Sequence, residues 1–150
     1  MSTTTSRDDL LQDIADKLEI RELVARYCRA VDDTDAEAFA ASFTADGVFE
    51  TALGVVTGRD ALLAHGRKMA FGNVHVTTDA IIEIDGDRAT HTCTLLLGRR
   101  REDKAANEIV ATGRYFDELV RTADGWRFSS RRAVTDLGLE GMQAKRERLG

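Results

Sequence analysis

The fold is decided by residues 74–98, which read VHVTTDAIIEIDGDRATHTCTLLLG. Apolar and polar side chains largely alternate along residues 74–84 and again along 88–98, a pattern typical of β-strands with one buried face. Asp85-Gly86 stands between the two runs, and Asp-Gly is a strong signal for a tight hairpin turn. The segment therefore predicts two antiparallel strands joined by a short turn.

Strand patterns continue from this hairpin toward the C-terminus. Residues 108–121 and 126–135 predict two further strands, and Asp124-Gly125 marks the turn between them. Residues 137–150 form a charged tail. Whether that tail is helical, covers a pocket mouth or frays is left open by its sequence. The second half of the chain is thus predicted to be an antiparallel meander.

The N-terminal half has helical periodicity instead. Apolar residues recur at three- and four-residue spacing over residues 8–31, which predicts a long helix with one broad apolar stripe. The spacing of residues 34–37 fits a capping box and predicts a second helix to about residue 43. A short strand is expected at 47–51 and a third helix at 59–71. Helices followed by a meander indicate an α+β fold rather than alternating βαβ units.

Composition limits the classes of function. The chain has 150 residues, 43% of them hydrophobic and 31% charged, which fits one folded domain over residues 1–150. Its net charge of −5 gives little electrostatic support for binding a phosphate backbone, so no nucleic-acid partner is expected. The run Arg99-Arg100-Arg101 is interpreted as a solvated loop or strand end.

The cysteines and the N-terminus bear on the compartment. Cys28 and Cys93 lie in apolar-patterned segments without CxxC spacing, so both are expected to be reduced, in a cytoplasmic setting. The three histidines lack metal-ligand spacing, and no metal is expected. Residues 1–7 are polar and expected to be disordered, and no run is long and apolar enough to span a membrane.

A curved sheet with helices on its concave side leaves a blind pocket, and such pockets commonly take small, mostly apolar molecules. Four segments in this order resemble the framework of the SnoaL-like, or nuclear transport factor 2-like, superfamily. They are RYCRAVD at 26–32, FTADGVF at 43–49, HVTTD at 75–79 leading to IDGDRA at 84–89, and GRYFD at 113–117 with DGWRF at 124–128. The resemblance implies a cone-shaped curved antiparallel sheet, with three N-terminal helices enclosing the pocket.

Within that superfamily the chain resembles a branch of cofactor-independent lyases. This branch includes scytalone dehydratase, bile-acid 7α-dehydratase and hexachlorocyclohexane dehydrochlorinase. Its members pair an Asp near the end of the first long helix with a His at the start of a sheet strand, positions held here by Asp32 and His75. Tyr27 matches the helix tyrosine five residues before the Asp. The resemblance implies catalytic roles for these three residues, with no cofactor.

The chemistry of these side chains agrees with such a role. Neutral imidazole is a suitable general base near neutral pH, and a carboxylate on one ring nitrogen fixes the tautomer and stabilises the imidazolium that forms. A tyrosine hydroxyl can donate to a carbonyl or a departing oxygen. Two alternative interpretations stay open. Asp32 could simply cap the next helix, and Tyr27 could be an ordinary core residue.

The histidines differ in where strand alternation places them. His75 falls with the polar side of its strand, so either the pocket wall is that mixed face or a β-bulge shifts the register. His91 falls on an apolar face, where a satisfied core residue is the usual case; it is the second-rank polar group, predicted to bind substrate. His65 is expected on the surface of the third helix. Tyr115 and Asp117 share one face of their strand and are expected to be structural.

The resulting prediction is a dehydratase or dehydrohalogenase acting on a small hydrophobic cyclic substrate. A non-catalytic module, like the small β subunits of ring-hydroxylating dioxygenases, and a cyclase or isomerase of the same fold are the alternatives. Thr51 stands where the ketosteroid isomerases carry their base, so an isomerase that uses this base is disfavoured. Leu97 stands where the bile-acid enzyme carries a further Asp, so that part of the bile-acid site is absent. The resemblance also implies a homodimer or homotrimer.

Overall fold

The computed structural model describes residues 6–103 and 106–137, and these residues form three helices and six strands. Of the segment 1–7, which was expected to be disordered, residues 1–5 lie outside the described residues, as does most of the charged tail, 138–150. Ser6 and Arg7 are the cap and the first residue of the first helix. The elements are α1 Arg7–Asp32, α2 Ala36–Ala41, β1 Phe43–Thr51, β2 Gly54–Thr57, α3 Arg59–Gly66, β3 Asn73–Asp85, β4 Arg88–Arg100, β5 Asn107–Thr122 and β6 Gly125–Thr135.

The strands form one curved, open sheet in the order β2-β1-β6-β5-β4-β3. The meander β3-β4-β5-β6 is antiparallel throughout, as predicted from the two Asp-Gly turns. β1 runs parallel to β6, and β2 pairs antiparallel with β1 at the far edge. The α+β prediction is confirmed, whereas β2 and the parallel pairing were not anticipated.

Helix α1 begins with a capping box, in which the Ser6 hydroxyl accepts from the Asp9 backbone and Asp9 accepts from the Ser6 backbone N–H. The predicted apolar stripe is buried against the sheet only in the second half of the helix, from Ile20 to Val31. In the first half the carboxylate of Asp16 is buried, bound to Arg121 and Trp126 of the sheet. Four apolar side chains of this first half are more than half exposed: Leu10, Leu11, Ile14 and Leu18.

The second and third helices are shorter than their patterns suggested. Thr34 has a left-handed backbone with φ of 57°, and Asp35 is the residue that caps α2, its side chain accepting from the Ala38 backbone N–H. β1 begins as early as Phe43 because its backbone pairs with Phe128 of β6. Helix α3 ends at Gly66 rather than continuing to residue 71.

Two bulges decide which side chains face inward. The register of β3 against β4 shifts between Thr78 and Ile81, where Asp79 has φ of 57°. Before the shift His75 and Thr77 face the interior, and after it the inner residues are even-numbered. This bulge explains how His75 faces the interior although simple alternation groups it with the polar side of its strand. A second shift, around Ser129 in β6, turns the side chain of Arg131 into the core.

The core between α1, α2 and the sheet is strongly aromatic. Tyr27 lies at its centre, with ring centroids between 5.5 and 6.5 Å from five neighbouring rings. These neighbours are Phe39, Phe43, Phe49, Tyr115 and Phe128. Each favourable ring pair adds about 0.5–1.5 kcal/mol beyond burial, so this cluster firmly fixes α1 on the sheet. Among the helices described, none is long and apolar enough to cross a membrane.

Candidate active site

Asp32 and His75 meet as predicted, although 43 residues separate them. The ring atom Nδ1 of His75 lies 2.6 Å from Oδ1 of Asp32. The backbone N–H of His75 also donates to the same carboxylate, at 3.1 Å to Oδ1 and 3.0 Å to Oδ2. Both side chains are largely buried, with exposures of 14% and 10%. The carboxylate therefore fixes both the backbone and the ring of His75.

The local sequence explains why Asp32 is available for this contact. It is the last residue of α1, and Asp33 takes over as the C-terminal cap. Capping of the next helix is performed by Asp35, so the alternative reading of Asp32 as a helix cap is wrong. Because Nδ1–H donates to the carboxylate, Nε2 of His75 is left as the hydrogen-bond acceptor of the ring.

His75 faces a cavity of about 540 Å³ between the concave side of the sheet and helices α1, α2 and α3. The size lies within the range of small-molecule sites. Tyr27 and Tyr115 lie at one side of the cavity, while Leu95 and Leu97 of β4 continue the wall beside His75. Most of the lining is apolar, which suits a small hydrophobic molecule more than a charged one.

Tyr27, which was predicted either to be catalytic or to be a core residue, lines this cavity and also belongs to the aromatic core. Burial raises its pKa well above the usual range, an effect that the nearby charge of Arg131 opposes. The hydroxyl therefore stays protonated and can act as a hydrogen-bond donor. The ring lies against Arg131, whose guanidinium carbon is 4.2 Å from the ring centroid.

Arg131 was not singled out by the sequence. It is fully buried and stacks on Tyr27, Tyr115 and Phe128 at 4.0–4.2 Å. Its guanidinium donates twice to Asp117, from Nε at 2.8 Å and from Nη2 at 2.6 Å. This ion pair anchors the tyrosines that line the cavity. A bulge in β6 reverses the alternation just before Arg131, so a simple strand pattern places it on the wrong face.

His91 does not lie in the cavity with His75. It lines a separate groove between α1 and strands β3 and β4, which shares no lining residue with that cavity. A substrate in the larger cavity is therefore not placed next to His91. Its Nδ1 is 2.6 Å from Oδ2 of Asp117, which Arg131 also binds. Burial raises the pKa of Asp117, but the lowering by Arg131 and by the hydrogen bond with His91 is larger. The pKa of this carboxyl therefore lies below its usual range.

His65 was expected on the surface, and that prediction is wrong. It is half-buried in the wall of the large cavity, with its ring 5.4 Å from the ring of Phe49 and 5.9 Å from that of Phe39. Burial, with a smaller effect from Lys68, lowers its pKa. The signal that could have placed it was its three-residue spacing from Leu62, which is buried on the same helix.

Both cysteine thiols lie in the core of the protein. Cys28 and Cys93 are both free and buried, and burial raises the pKa of each thiol, that of Cys93 to about 11. Neither is a ready nucleophile. Over residues 6–103 and 106–137, no three His, Cys, Asp or Glu side chains come together in a way that could hold a metal ion.

Comparison with known proteins agrees with this architecture. A family model for the SnoaL-like domain matches residues 12–132. An uncharacterised protein of Mycobacterium tuberculosis is 28% identical over an alignment 130 residues long. The match covers 79% of this chain and 84% of that protein. A solved protein of unknown function from the same species is 28% identical with a TM-score of 0.79, over 99% of this chain and 97% of that one.

Further solved structures share the fold. An NTF2-like protein with a cystatin-like fold from Novosphingobium aromaticivorans is 26% identical with a TM-score of 0.79, covering 94% of this chain and 97% of that one. LinA is 21% identical with a TM-score of 0.74, over 85% of this chain and 90% of that one. A candidate scytalone dehydratase from N. aromaticivorans is 23% identical with the same TM-score, over 83% and 87%. At 21% and 23% identity the likeness shows the fold alone.

Proposed function

The chain belongs to the SnoaL-like domain family, and from that premise we propose that it is a cofactor-independent lyase. It removes water or a halide from a small hydrophobic cyclic molecule. The observation that carries the proposal is the His75 ring in the wall of a mostly apolar cavity, with Nδ1 held by Asp32 at 2.6 Å. That arrangement leaves one basic nitrogen for a substrate and supplies a counter-charge for the imidazolium that forms.

The proposed elimination uses His75 as the base. Nε2 takes a proton from a carbon beside the leaving group, and the electrons of the broken C–H bond form the new C=C bond. The bond to the leaving group breaks at the same time, and that group departs with its electron pair. A halide leaves as the anion, and the imidazolium then releases its proton to water. A departing hydroxyl receives the proton back from His75 and leaves as water, so the ring returns to its neutral state.

Tyr27 has a supporting role in this scheme. Since burial raises its pKa, the hydroxyl stays protonated and donates a hydrogen bond rather than a proton. It would stabilise negative charge on a substrate carbonyl or on the departing oxygen. A single donor of this type is typically worth about 10²–10³ in rate. Arg131, stacked on the ring at 4.2 Å, holds Tyr27 in place.

The alternatives receive less support from the site. A purely structural module has no need of an open cavity with an oriented histidine on its wall, and the cavity here is not filled by side chains. An isomerase with its base on β1 is disfavoured because Thr51, which lines the cavity, cannot act as that base. A cyclase or isomerase that uses His75 shares the base with the lyase and differs only in the product it forms.

The proposal can be tested with 3-hydroxy-1-tetralone, a bicyclic β-hydroxyketone whose dehydration product tautomerises to fluorescent 1-naphthol. The wild-type protein should accelerate the appearance of 1-naphthol without added metal or cofactor. His75→Ala should abolish the acceleration, because it removes the base. Glu83→Ala, at an exposed position on the same strand, is the matched control and should keep the full rate.

Two results would contradict the lyase. One is a His75→Ala variant that stays folded and dehydrates the probe at the wild-type rate. The other is a probe whose C2 proton exchanges with deuterium from the solvent in a His75-dependent manner while no water is lost, which would favour the isomerase instead. Absence of both reactions, for this probe and for its 3-chloro analogue, would favour a binding module.

We also infer that copies of the chain associate through the outer face of the sheet, in a reducing compartment where both thiols stay free. Four apolar side chains on that side of the sheet are 41–67% exposed: Val76, Ile81, Ile109 and Val134. Sedimentation velocity should give a dimer or trimer, and Ile81→Lys should shift it toward the monomer. A wild-type protein that is monomeric at 100 μM would overturn this inference.

A further inference from the structure

A second concave site lies between α1 and the paired strands β3 and β4, at the bulge in β3. This groove has a volume of about 390 Å³ and shares no lining residue with the cavity that contains His75. The size is within the range of small-ligand sites. Its lining is more polar than that of the larger cavity, so it suits a different kind of molecule.

His91 is the buried polar group of this groove. Its side chain is only 1% exposed, and Nδ1 is occupied by Asp117 at 2.6 Å. Asp117 is in turn held by both arms of Arg131, so the ring has one fixed orientation. Nε2 is the ring atom not taken by Asp117, and no hydrogen bond to it is found within residues 6–103 and 106–137. It is not among the fully buried atoms that lack a partner, so it reaches the groove and is available to a ligand there.

The rim of the groove carries both donors and acceptors. Arg21 of α1 has five N–H donors, and none of the ion pairs in the described part of the chain involves it. Opposite it, Asp79 offers a carboxylate that accepts from the Thr78 hydroxyl at 3.4 Å. Thr77 adds another hydroxyl to the lining. The formal charges of Arg21 and Asp79 cancel, so the groove does not select for a net anion or cation.

The backbone at this site is unusual as well. Asp79 has φ of 57°, a left-handed conformation that costs a non-glycine residue about 1–2 kcal/mol. This bend ends the first half of β3 and places the Asp79 side chain on the groove. Strained residues of this kind are concentrated at binding and catalytic sites. Together with the unpartnered His91 nitrogen, the strain points to a ligand.

We propose that this groove binds a small, uncharged, polyhydroxylated molecule of the size of a monosaccharide or cyclic polyol. One ligand hydroxyl donates to Nε2 of His91, a second donates to the carboxylate of Asp79, and a third accepts from Arg21. The methyl groups of Val24 and Ala25 supply an apolar surface for the ligand's C–H face. The site is independent of the elimination proposed above, since its binding residues are separate.

The test is an NMR titration of ¹⁵N-labelled protein that follows the ring nitrogens of His91. The probes are myo-inositol, D-glucose, inorganic phosphate and cyclohexanol, each to 100 mM. At least one of the two polyols should shift the Nε2 resonance in a saturable way, whereas phosphate and cyclohexanol should not. Arg21→Met should weaken that binding at least tenfold. Arg26→Met is the matched control on the same helix and should not change it, because Arg26 is exposed and paired with Glu22.

Further outcomes separate this proposal from the lyase. His75→Ala should leave polyol binding unchanged, and Asp79→Asn should weaken it while keeping a residue that tolerates the left-handed conformation. Saturable binding of phosphate in place of the polyols would overturn the proposed ligand class. No saturable shift with either polyol would overturn the proposal itself. Loss of polyol binding in His75→Ala would show that the ligand occupies the larger cavity instead.

Discussion

At the scale of single residues, one carboxylate performs two tasks. Asp32 accepts from the ring of His75 and also from its backbone N–H, so it orients the imidazole and attaches β3 to the end of α1. An exchange to asparagine keeps the shape of the side chain but removes its charge. It also turns one oxygen into an N–H₂ group, which either opposes the backbone N–H of His75 or, facing Nδ1, stabilises the wrong tautomer of the ring.

We therefore expect Asp32→Asn to reduce the rate with 3-hydroxy-1-tetralone strongly. In the Ser-His-Asp template the equivalent exchange costs about 10⁴ in kcat. Asp33→Asn is the matched control, since Asp33 is the next residue and its side chain is exposed. The melting temperature of both variants should be measured beside the rate. An Asp32→Asn variant as active as Asp33→Asn would remove the carboxylate from the mechanism.

Asp117 supports a second prediction at this scale. It is 4% exposed and neutralises Arg131, which is fully buried among aromatic rings. Asp117→Asn would leave the guanidinium without its counter-charge, and breaking a buried pair in this way costs about 3–5 kcal/mol. Urea unfolding should show a loss of that size. Glu118→Gln, the exposed neighbour, should change the stability by less than about 0.5 kcal/mol, and equal losses for both would contradict the buried ion pair.

The residues of the candidate site were only partly predictable. Asp32, His75 and Tyr27 could be named because each occupies a position in a recognisable segment. Arg131 and the inward turn of His75 could not be derived, because both depend on bulges that shift the alternation by one residue. His91 was placed on the correct inner face, but whether it lines the same cavity as His75 could not be derived, since strand alternation does not tell where along the sheet a pocket begins.

At the scale of secondary-structure elements, the bulge in β3 is the decisive feature. It lets Thr77 and Ala80 share the inner face although an unbroken strand would place them on opposite sides. Strand bounds in the meander were predicted to within about two residues, because alternation and Asp-Gly turns are local signals. β2 and the β1–β6 pairing were missed, because a four-residue edge strand and a parallel contact between distant segments leave little local pattern.

The bulge leads to a prediction that uses neighbouring positions. Asp79→Val places a β-branched side chain in a left-handed backbone and should lower the free energy of unfolding by about 1–2 kcal/mol. Thr78→Val, one residue earlier and also exposed, keeps a β-branched side chain in ordinary strand geometry and should be nearly neutral. Chemical denaturation of both variants provides the measurement. Equal stabilities would show that residue 79 does not need its left-handed conformation.

At the scale of the whole molecule, Asp16 attaches the first helix to the last hairpin. Arg121 donates twice to its carboxylate, at 2.6 and 2.8 Å, and the indole N–H of Trp126 donates at 3.1 Å. The hydrogen bonds from Arg121 are the main cause that lowers the pKa of Asp16 from 3.8 to about 2, against the opposing effect of burial. The contact spans 105 residues of sequence and joins α1 to β5.

The lowered pKa predicts how the stability of the protein depends on pH. A carboxylate whose pKa is lower in the folded state stabilises the fold above its ordinary pKa and loses that contribution as the pH falls through the folded value. The contribution of Asp16 is about 2 kcal/mol, present above pH 5 and lost progressively toward pH 2. Asp16→Asn should therefore lower the stability at pH 7 by about that amount.

The same variant should also flatten the stability curve between pH 5 and pH 2. Asp13→Asn is the control, because Asp13 forms an exposed pair with Lys17 whose loss typically costs less than about 1 kcal/mol. Urea unfolding midpoints measured at steps of one pH unit provide the comparison. A curve for Asp16→Asn that falls as steeply as that of the wild type would assign the acid sensitivity to other carboxylates.

The double attachment of His75 to Asp32 has an evolutionary consequence. A descendant that has lost the proposed reaction can replace the imidazole, because the backbone N–H of residue 75 is present whatever its side chain. Position 32 has less freedom, since the loss of its acceptor leaves that partly buried N–H without a partner and detaches the end of strand β3 from the helix. In relatives without the proposed reaction, we therefore expect position 75 to vary first and an oxygen-bearing side chain to persist at position 32.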